Sequence, residues 1–256
     1  MSFISEYFIY DGINSTDYGV YLVKIDDAFI RTPFGYNREI VEEQIPRRDK
    51  PYFFRLQTKP LEFDITIALI DELWTIERRM QIIEWLFQDD YKPFISGDNL
   101  NVIYYCMPVG DPERFDTSLN EGYANLTMRC NSPYAYSPTY IVNYYSGQST
   151  NPIVLENISN VQRYNYPEIE VELLSGTGFS ISNLTDGNRT LSFDNLQPGE
   201  IIYINNERKQ IISSLPNTYR YSNFNKTWFR LVRGYNSVRI TGDVNVSFRT
   251  VYPIAL

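Results

Sequence analysis

The sharpest alternation in the chain runs from Leu61 to Leu69, where Leu61, Phe63, Ile65, Ile67 and Leu69 interleave with Glu62, Asp64, Thr66 and Ala68. A period of two predicts a strand with one face in a core and the other in water. Aromatic and β-branched runs predict further strands at Phe3–Tyr10, Tyr18–Ile25 and Glu39–Ile45, with Asp11-Gly12 and Asn14-Ser15 as turns. Between Asp71 and Asp90 the period changes. Leu73, Ile76, Met80, Ile83 and Phe87 recur every three or four residues, widened by Trp74, Ile82 and Leu86. Glu72, Glu77, Arg78, Arg79, Gln81 and Glu84 take most of the remaining positions. This spacing predicts an amphipathic helix over 71–90, capped by Asp71 and followed by Pro93, with its apolar stripe laid on the open face of a sheet. Trp74 and Trp85 read as part of that packing, with a ligand-binding aromatic box as the alternative.

Strands resume at Asn101–Met107 and Tyr123–Cys130, joined by a long loop, Pro108–Gly122. Ser132-Pro133 and Ser137-Pro138 then close a first domain, residues 1–138. The polar Tyr/Asn/Ser/Gly stretch over 139–152 reads as a linker. In a second domain, 153–256, short strands are predicted at Glu168–Leu174, Gly178–Asn183, Thr190–Phe193, Glu200–Asn205, Trp228–Val232, Ser237–Thr241 and Val244–Tyr252. Turn signals such as Asp186-Gly187-Asn188 and Gln197-Pro198-Gly199 separate them, and no helical period intervenes. Regular short strands of this kind predict a β-sandwich. The fold class expected is therefore mainly β, two β-sandwich-type domains, the N-terminal one with a single amphipathic helix packed on a sheet.

Composition removes many chemistries. The chain has 256 residues and no histidine, which excludes Ser-His-Asp triads, Cys-His pairs, HExxH zinc sites and histidine general bases. With 23 Lys+Arg against 31 Asp+Glu the net charge is −8, a poor basis for binding phosphate backbones. Residues 1–138 carry 13 basic and 22 acidic groups, residues 139–256 carry 10 and 9, so the excess lies in the first domain. No apolar run reaches the length of a membrane-spanning helix, and the first residues lack the basic region of a secretory signal. Neither GxxxxGK[ST] nor GxGxxG after a strand occurs, so no cofactor is expected.

Carboxylates are the acid–base groups that remain. Glu168, Glu170 and Glu172 alternate with Ile169, Val171 and Leu173 and read as the solvated face of a strand. A glycosidase would need two acids facing each other about 5–10 Å apart across a cleft. Asp26-Asp27 and Asp98-Asn99 read as turn residues rather than calcium ligands. If the strands around Pro108–Gly122 form a simple hairpin with Tyr123 opposite Met107, Cys106 and Cys130 lie about 20 Å apart and stay unpaired thiols. Arg47, Arg48, Asp49 and Lys50, between Pro46 and Pro51, read as an exposed hairpin tip, or as a contact with a neighbouring subunit. The neighbouring Glu42 and Glu43 argue against nucleic acid there.

Three phrases carry a family resemblance. They are Gly12-Ile13-Asn14-Ser15-Thr16-Asp17-Tyr18-Gly19, then Cys130-Asn131-Ser132-Pro133-Tyr134-Ala135-Tyr136-Ser137, and a tryptophan segment from Trp228 followed by Gly234-Tyr235-Asn236. In this order and spacing the chain resembles the distal tail proteins of long, non-contractile-tailed bacteriophages. The resemblance implies a homo-hexameric ring, made by the N-terminal domains around a channel for DNA, with galectin-like, jelly-roll C-terminal domains outside. It further implies a virion protein, assembled in the host cytoplasm, that joins the tail tube protein to the tail-tip proteins and the receptor-binding apparatus, with no catalytic residues. Tyr235 between Gly234 and Asn236, and the charged Arg47–Lys50 segment, depart from the family pattern. The alternative is a carbohydrate-binding module in which Trp228, Tyr219, Tyr221 and Tyr235 stack on sugar rings.

Overall fold

The computed structural model describes residues 5–23, 38–69, 73–116 and 122–256. Asp26, Asp27 and the expected helix cap Asp71 lie outside the described residues. The chain divides into two compact units, Met1–Ser137 with Ile254–Leu256, and Pro138–Pro253.

The first unit contains strands β1 (Phe8–Tyr10), β2 (Ile13–Asn14), β3 (Val20–Leu22), β4 (Arg38–Glu43), β5 (Tyr52–Thr58) and β6 (Glu62–Leu69). Helix α1 (Ile76–Leu86) follows, and then β7 (Lys92–Ser96), β8 (Tyr104–Asp116), β9 (Gly122–Cys130) and the short β10 (Ala135–Tyr136). Seven strands form one sheet in the order β2-β1-β7-β8-β9-β6-β3, while β4 and β5, among the described residues, pair only with each other. The alternation at β6 does what its period predicts: Phe63, Ile65 and Ile67 are buried, Glu62 and Asp64 exposed. These side chains join Phe8, Phe94, Leu126 and Met128 and the helix residues Ile82, Trp85 and Leu86 in one core.

The helix is shorter than its apolar spacing predicts. Thr75 caps it, its Oγ1 accepting from the Arg78 amide at 3.2 Å. At the other end the Phe87 amide donates to the Ile83 carbonyl while Phe87 itself leaves helical geometry. The expected loop Pro108–Gly122 is also largely strand. β8 runs on to Asp116, bulged between Val109 and Glu113, and Phe115 faces Tyr123. Gly110, Pro112 and the charged residues there hide the β pattern from periodicity, because a bulge shifts the side-chain alternation by one.

The second unit holds β11 (Tyr140–Tyr145), β12 (Ile153–Asn157), β13 (Glu168–Asn183), β14 (Arg189–Phe193), β15 (Ile201–Asn205), β16 (Gln210–Ser213) and β17 (Gly234–Thr250). The long strands β13 and β17 pair along their length, with register shifts between Leu173 and Ser180. One half of the pair carries β11, β15 and β16, and the other carries β12 and β14. Side chains of both halves, among them Ile169, Val171, Phe179, Ile181, Val238 and Phe248, meet in a single core.

Two expectations change here. The segment 139–152 is not simply a linker: Tyr140–Tyr145 pairs residue for residue with Asn245–Thr250 of β17. Tyr144 is the one buried residue of this edge strand, so the segment shows no period of two and its composition reads as loop. Trp228–Val232 is not a strand; only Leu231 bridges, to Asn165. Its backbone is satisfied by asparagines instead of a ladder: the Phe229 amide donates to Asn206 Oδ1 at 2.7 Å and the Arg230 carbonyl accepts from Asn183 Nδ2 at 2.9 Å. Phe229 and Leu231 are still fully buried, which is why the segment reads as strand.

Candidate functional site

The phrases that carried the resemblance are structural. In Gly12–Gly19, Asn14 Oδ1 accepts from the Thr16 amide at 3.1 Å and opens a turn of 3-10 helix. Gly19 ends that turn at φ 63°, in the left-handed region that favours glycine. Ser15, fully buried, accepts from the Phe8 amide at 3.2 Å, and Tyr18 lies flat on Trp85 with ring centroids 4.8 Å apart. Trp85 also stacks on Phe8 and donates its indole N–H to the Tyr10 carbonyl at 3.1 Å. The turn thus docks the helix onto the sheet. At the other end of the unit, Ser132 Oγ accepts from the Tyr134 amide, and Tyr136 exchanges both backbone bonds with Ile103.

This docking turns the helix the other way from the expected one. Trp74, Ile82, Trp85 and Leu86 are buried, whereas Leu73, Ile76, Met80, Ile83 and Phe87 are exposed, Ile76 by 70 % and Met80 by 65 %. The helix has two apolar faces, and the face with the indoles wins the core. Those rings bury the larger area, and each finds a partner for its N–H, Trp74 donating to the Gly122 carbonyl at 3.1 Å. Both tryptophans are core residues. The other apolar face borders a cleft of about 120 Å³ lined by Arg79, Ile83, Phe87, Pro112, Glu113 and Leu126, among others.

A second apolar surface lies on β4–β5. Ile40 pairs with Leu56 and Glu43 with Tyr52, and the register shift beyond Val41 leaves Phe54 as an extra residue beside Phe53. Among the described residues, none covers either face of this ribbon. Ile40, Phe53 and Phe54 are each about 60 % exposed, and Ile45, Tyr52 and Leu56 are exposed as well. Arg47, Arg48, Asp49 and Lys50 sit together in the connection between the two strands, all exposed. Arg47 has φ 70°, the Gln44 side chain donates to the Arg48 carbonyl, and the Arg48 guanidinium lies over the Tyr52 ring at 4.1 Å. At the base of the ribbon Lys59 pairs with Glu39.

Cys106 and Cys130 are direct cross-strand partners, both buried and both free thiols. The expected separation of about 20 Å fails because β8 continues through the region taken for loop, which moves the register of the hairpin. Burial, then the hydrogen bond between the two thiols, pushes the Cys106 thiol far above its ordinary range.

In the second unit the sequence-predicted residues are dispersed. Glu168, Glu170 and Glu172 form one row on β13, opposite Arg249, Ser247 and Asn245, with Glu168 and Glu172 accepting from Asn205 and Asn245. The row lies along one sheet, not across a cleft. Trp228 packs edge-on against Phe224 at 4.8 Å, beside the core. Tyr219 is 84 % exposed, Tyr235 lies exposed on β17, and the Tyr221 hydroxyl accepts from the Ile211 amide. Among the described residues no ring contact joins these four.

Sequence reasoning missed the buried polar groups that fix this unit. Glu200 has a fully buried side chain and takes two bonds of 2.8 Å from Arg220, one of 2.6 Å from Ser213 and one from the Gln197 amide. Burial alone would raise its pKa, but these partners hold it below the ordinary carboxylate value. The sequence marked it only as the first residue of a strand, Glu200–Asn205, after the turn Gln197-Pro198-Gly199, with no sign of its burial or its partners. Asn236 explains the Gly-x-Asn phrase: its side chain bonds both the amide and the carbonyl of Val232 and accepts from Asn183 Nδ2. The loop it closes turns at Gly234, at φ 83°.

Two β-rich units in this order, the first with one helix locked down by a Gly-Ile-Asn-Ser turn, define the class: the chain belongs to a family of phage tail proteins. Residues 3–132 match a phage tail protein N-terminal domain (DUF6558), and residues 134–250 match the corresponding phage tail C-terminal domain. It is 26 % identical over 250 residues to the SPbeta prophage-derived uncharacterized protein YomH of Bacillus subtilis (strain 168), covering 97 % of each chain. Its fold matches the crystal structure of the SPP1 Dit (gp 19.1) protein, described as a paradigm of hub adsorption apparatus in phages infecting Gram-positive hosts. That match has a TM-score of 0.70 at 15 % identity and covers 96 % of this chain and 98 % of the other. A chain of the phage P2 baseplate in its activated, calcium-bound conformation matches at TM-score 0.52 and 7 % identity over 96 % and 98 % of the two chains. The fold is that of a distal tail protein.

Proposed function

We propose that this protein is a non-enzymatic hub of a phage tail. Six copies close into a ring through their first units, around a channel for DNA, and the ring joins the tail tube to the tail tip or baseplate and the adsorption apparatus. The observation that carries this reading is the bare β4–β5 ribbon. An isolated two-stranded ribbon is marginal in water, and one exposing six large apolar side chains is a surface built to be covered. In this reading Arg47, Arg48, Asp49 and Lys50, exposed at its tip, meet a neighbouring copy, the subunit contact that the sequence suggested. The fold match to SPP1 Dit supports the hub role. The absence of histidine, and carboxylates committed to Arg220 and Arg230, support a role without bond chemistry.

The −9 of residues 1–138 has a use in such a ring. Like charge around the channel disfavours trapping of DNA phosphates in passage. Electron microscopy of the purified protein tests the proposal: class averages are expected to show six-fold rings with a central pore. Isolated particles of single-chain size, with no rings at any concentration, would overturn it.

A further inference from the structure

The two uncovered apolar surfaces of the first unit lie on different elements, and each has the features the other lacks. On the helix side, Ile76, Met80, Ile83 and Phe87 follow one another at spacings of four, three and four, so their side chains form one stripe along the outer face. Leu73 extends it just before the helix, and the cleft beside Ile83 and Phe87 gives it a concave margin. On the ribbon side, Phe53 and Phe54 project from the bulge, exposed by 61 % each, and are large rigid anchors of the kind that fill such clefts.

Charge matches as well. Between Arg38 and Lys59 there are six basic and four acidic residues, whereas between Leu73 and Asp90 there are two basic and four acidic. The ribbon tip carries Arg47, Arg48 and Lys50. The far end of the helix carries Glu84, Asp89 and Asp90. Each surface alone offers five or six large side chains, enough apolar material for the centre of a standard interface of about 800 Å² per partner. Two complementary patches at different places on one molecule make a head-to-tail contact, the kind that closes into rings.

We infer that the helix stripe Ile76–Met80–Ile83–Phe87 is the docking site for the β4–β5 ribbon of a second copy of this chain, with Phe53 and Phe54 entering at the cleft and Arg47, Arg48 and Lys50 meeting Glu84, Asp89 and Asp90. This deepens the ring reading and rests on it, because it names what the ribbon binds.

The test uses two variants of the full chain, each altered only at exposed residues. One is M80E/I83E on the helix and the other F53S/F54S on the ribbon. Mass photometry is expected to show an assembly for the unaltered chain and single chains for each variant, with unchanged circular dichroism. Mixing the variants leaves one intact helix stripe and one intact ribbon, so the mixture is expected to give dimers of about 60 kDa and nothing larger. A charge-reversal variant, E84K/D89K, keeps the stripe intact and is expected to lose assembly, which R48E/K50E in the same chain restores. If M80E/I83E assembles like the unaltered chain while F53S/F54S does not, the ribbon docks elsewhere and the inference falls with the ring standing. Single chains on mixing the two variants would overturn it equally. An unaltered chain that never associates would remove the ring reading itself.

Discussion

Glu200 shows what a single residue does in this fold. Its carboxylate is out of water and lives on the fork of Arg220 and the hydroxyl of Ser213. Replacing Arg220 by alanine removes the opposite charge and leaves the buried carboxylate to Ser213 and the Gln197 amide, a loss of about 3–5 kcal/mol for the second unit, to be read from denaturant unfolding. Because its folded pKa lies below the unfolded one, Glu200 contributes stability that is present above the unfolded carboxylate value and is lost as pH falls through the folded value. Glu200→Gln is therefore expected to flatten the acid limb of stability against pH; an unchanged limb would assign that limb to other groups. The thiols supply a second residue-scale prediction. Both are buried, and Cys106 is held far above its ordinary pKa, so neither should react with a thiol reagent at pH 8 until the first unit unfolds. Rapid labelling of the native protein would contradict the burial.

Among the elements, the helix divides most clearly into what the sequence reveals and what it hides. Periodicity marks the element, because apolar residues every three or four positions have few other uses. It does not choose between two apolar faces. That choice is made by indole N–H groups reaching the Tyr10 and Gly122 carbonyls and by Tyr18 and Phe8 stacking on Trp85, partners brought from residues far away in the chain. Strand β6 was legible because one face is wet and the other dry. β8 was not, since its bulge breaks the alternation around Gly110 and Pro112, and the cysteine pairing was lost with it. The ribbon tip was legible as a charged loop between prolines, but no strand was predicted at Tyr52–Thr58, because Phe53 and Phe54 stand side by side at a bulge and break a period of two. Nothing in the pattern marked these apolar residues as facing water. The helix result is measurable. Trp85→Ala is expected to cost about 3–5 kcal/mol of first-unit stability, whereas Ile76→Ala in the single-chain M80E/I83E background changes it by no more than about 0.5 kcal/mol. Equal losses at both positions would reverse the assignment of faces.

For the molecule as a whole, the two units divide the labour that the charge distribution hints at. The second unit is nearly neutral, closed around one core and fixed by buried asparagines and ion pairs. The first carries the acidic excess and leaves a ribbon and a helix face uncovered. A protein that works by fitting against copies of itself has to leave such surfaces bare until assembly covers them, and in the proposed ring the 30.1 kDa chain bearing both is one of six units. The most direct test of that claim is the mass in solution by light scattering across a concentration series. The account predicts a species of about 181 kDa, six copies of the 30.1 kDa chain, that grows in at the expense of the single chain. A mass that stays at one chain throughout, for the purified protein and in the presence of the tail tube alike, would contradict it.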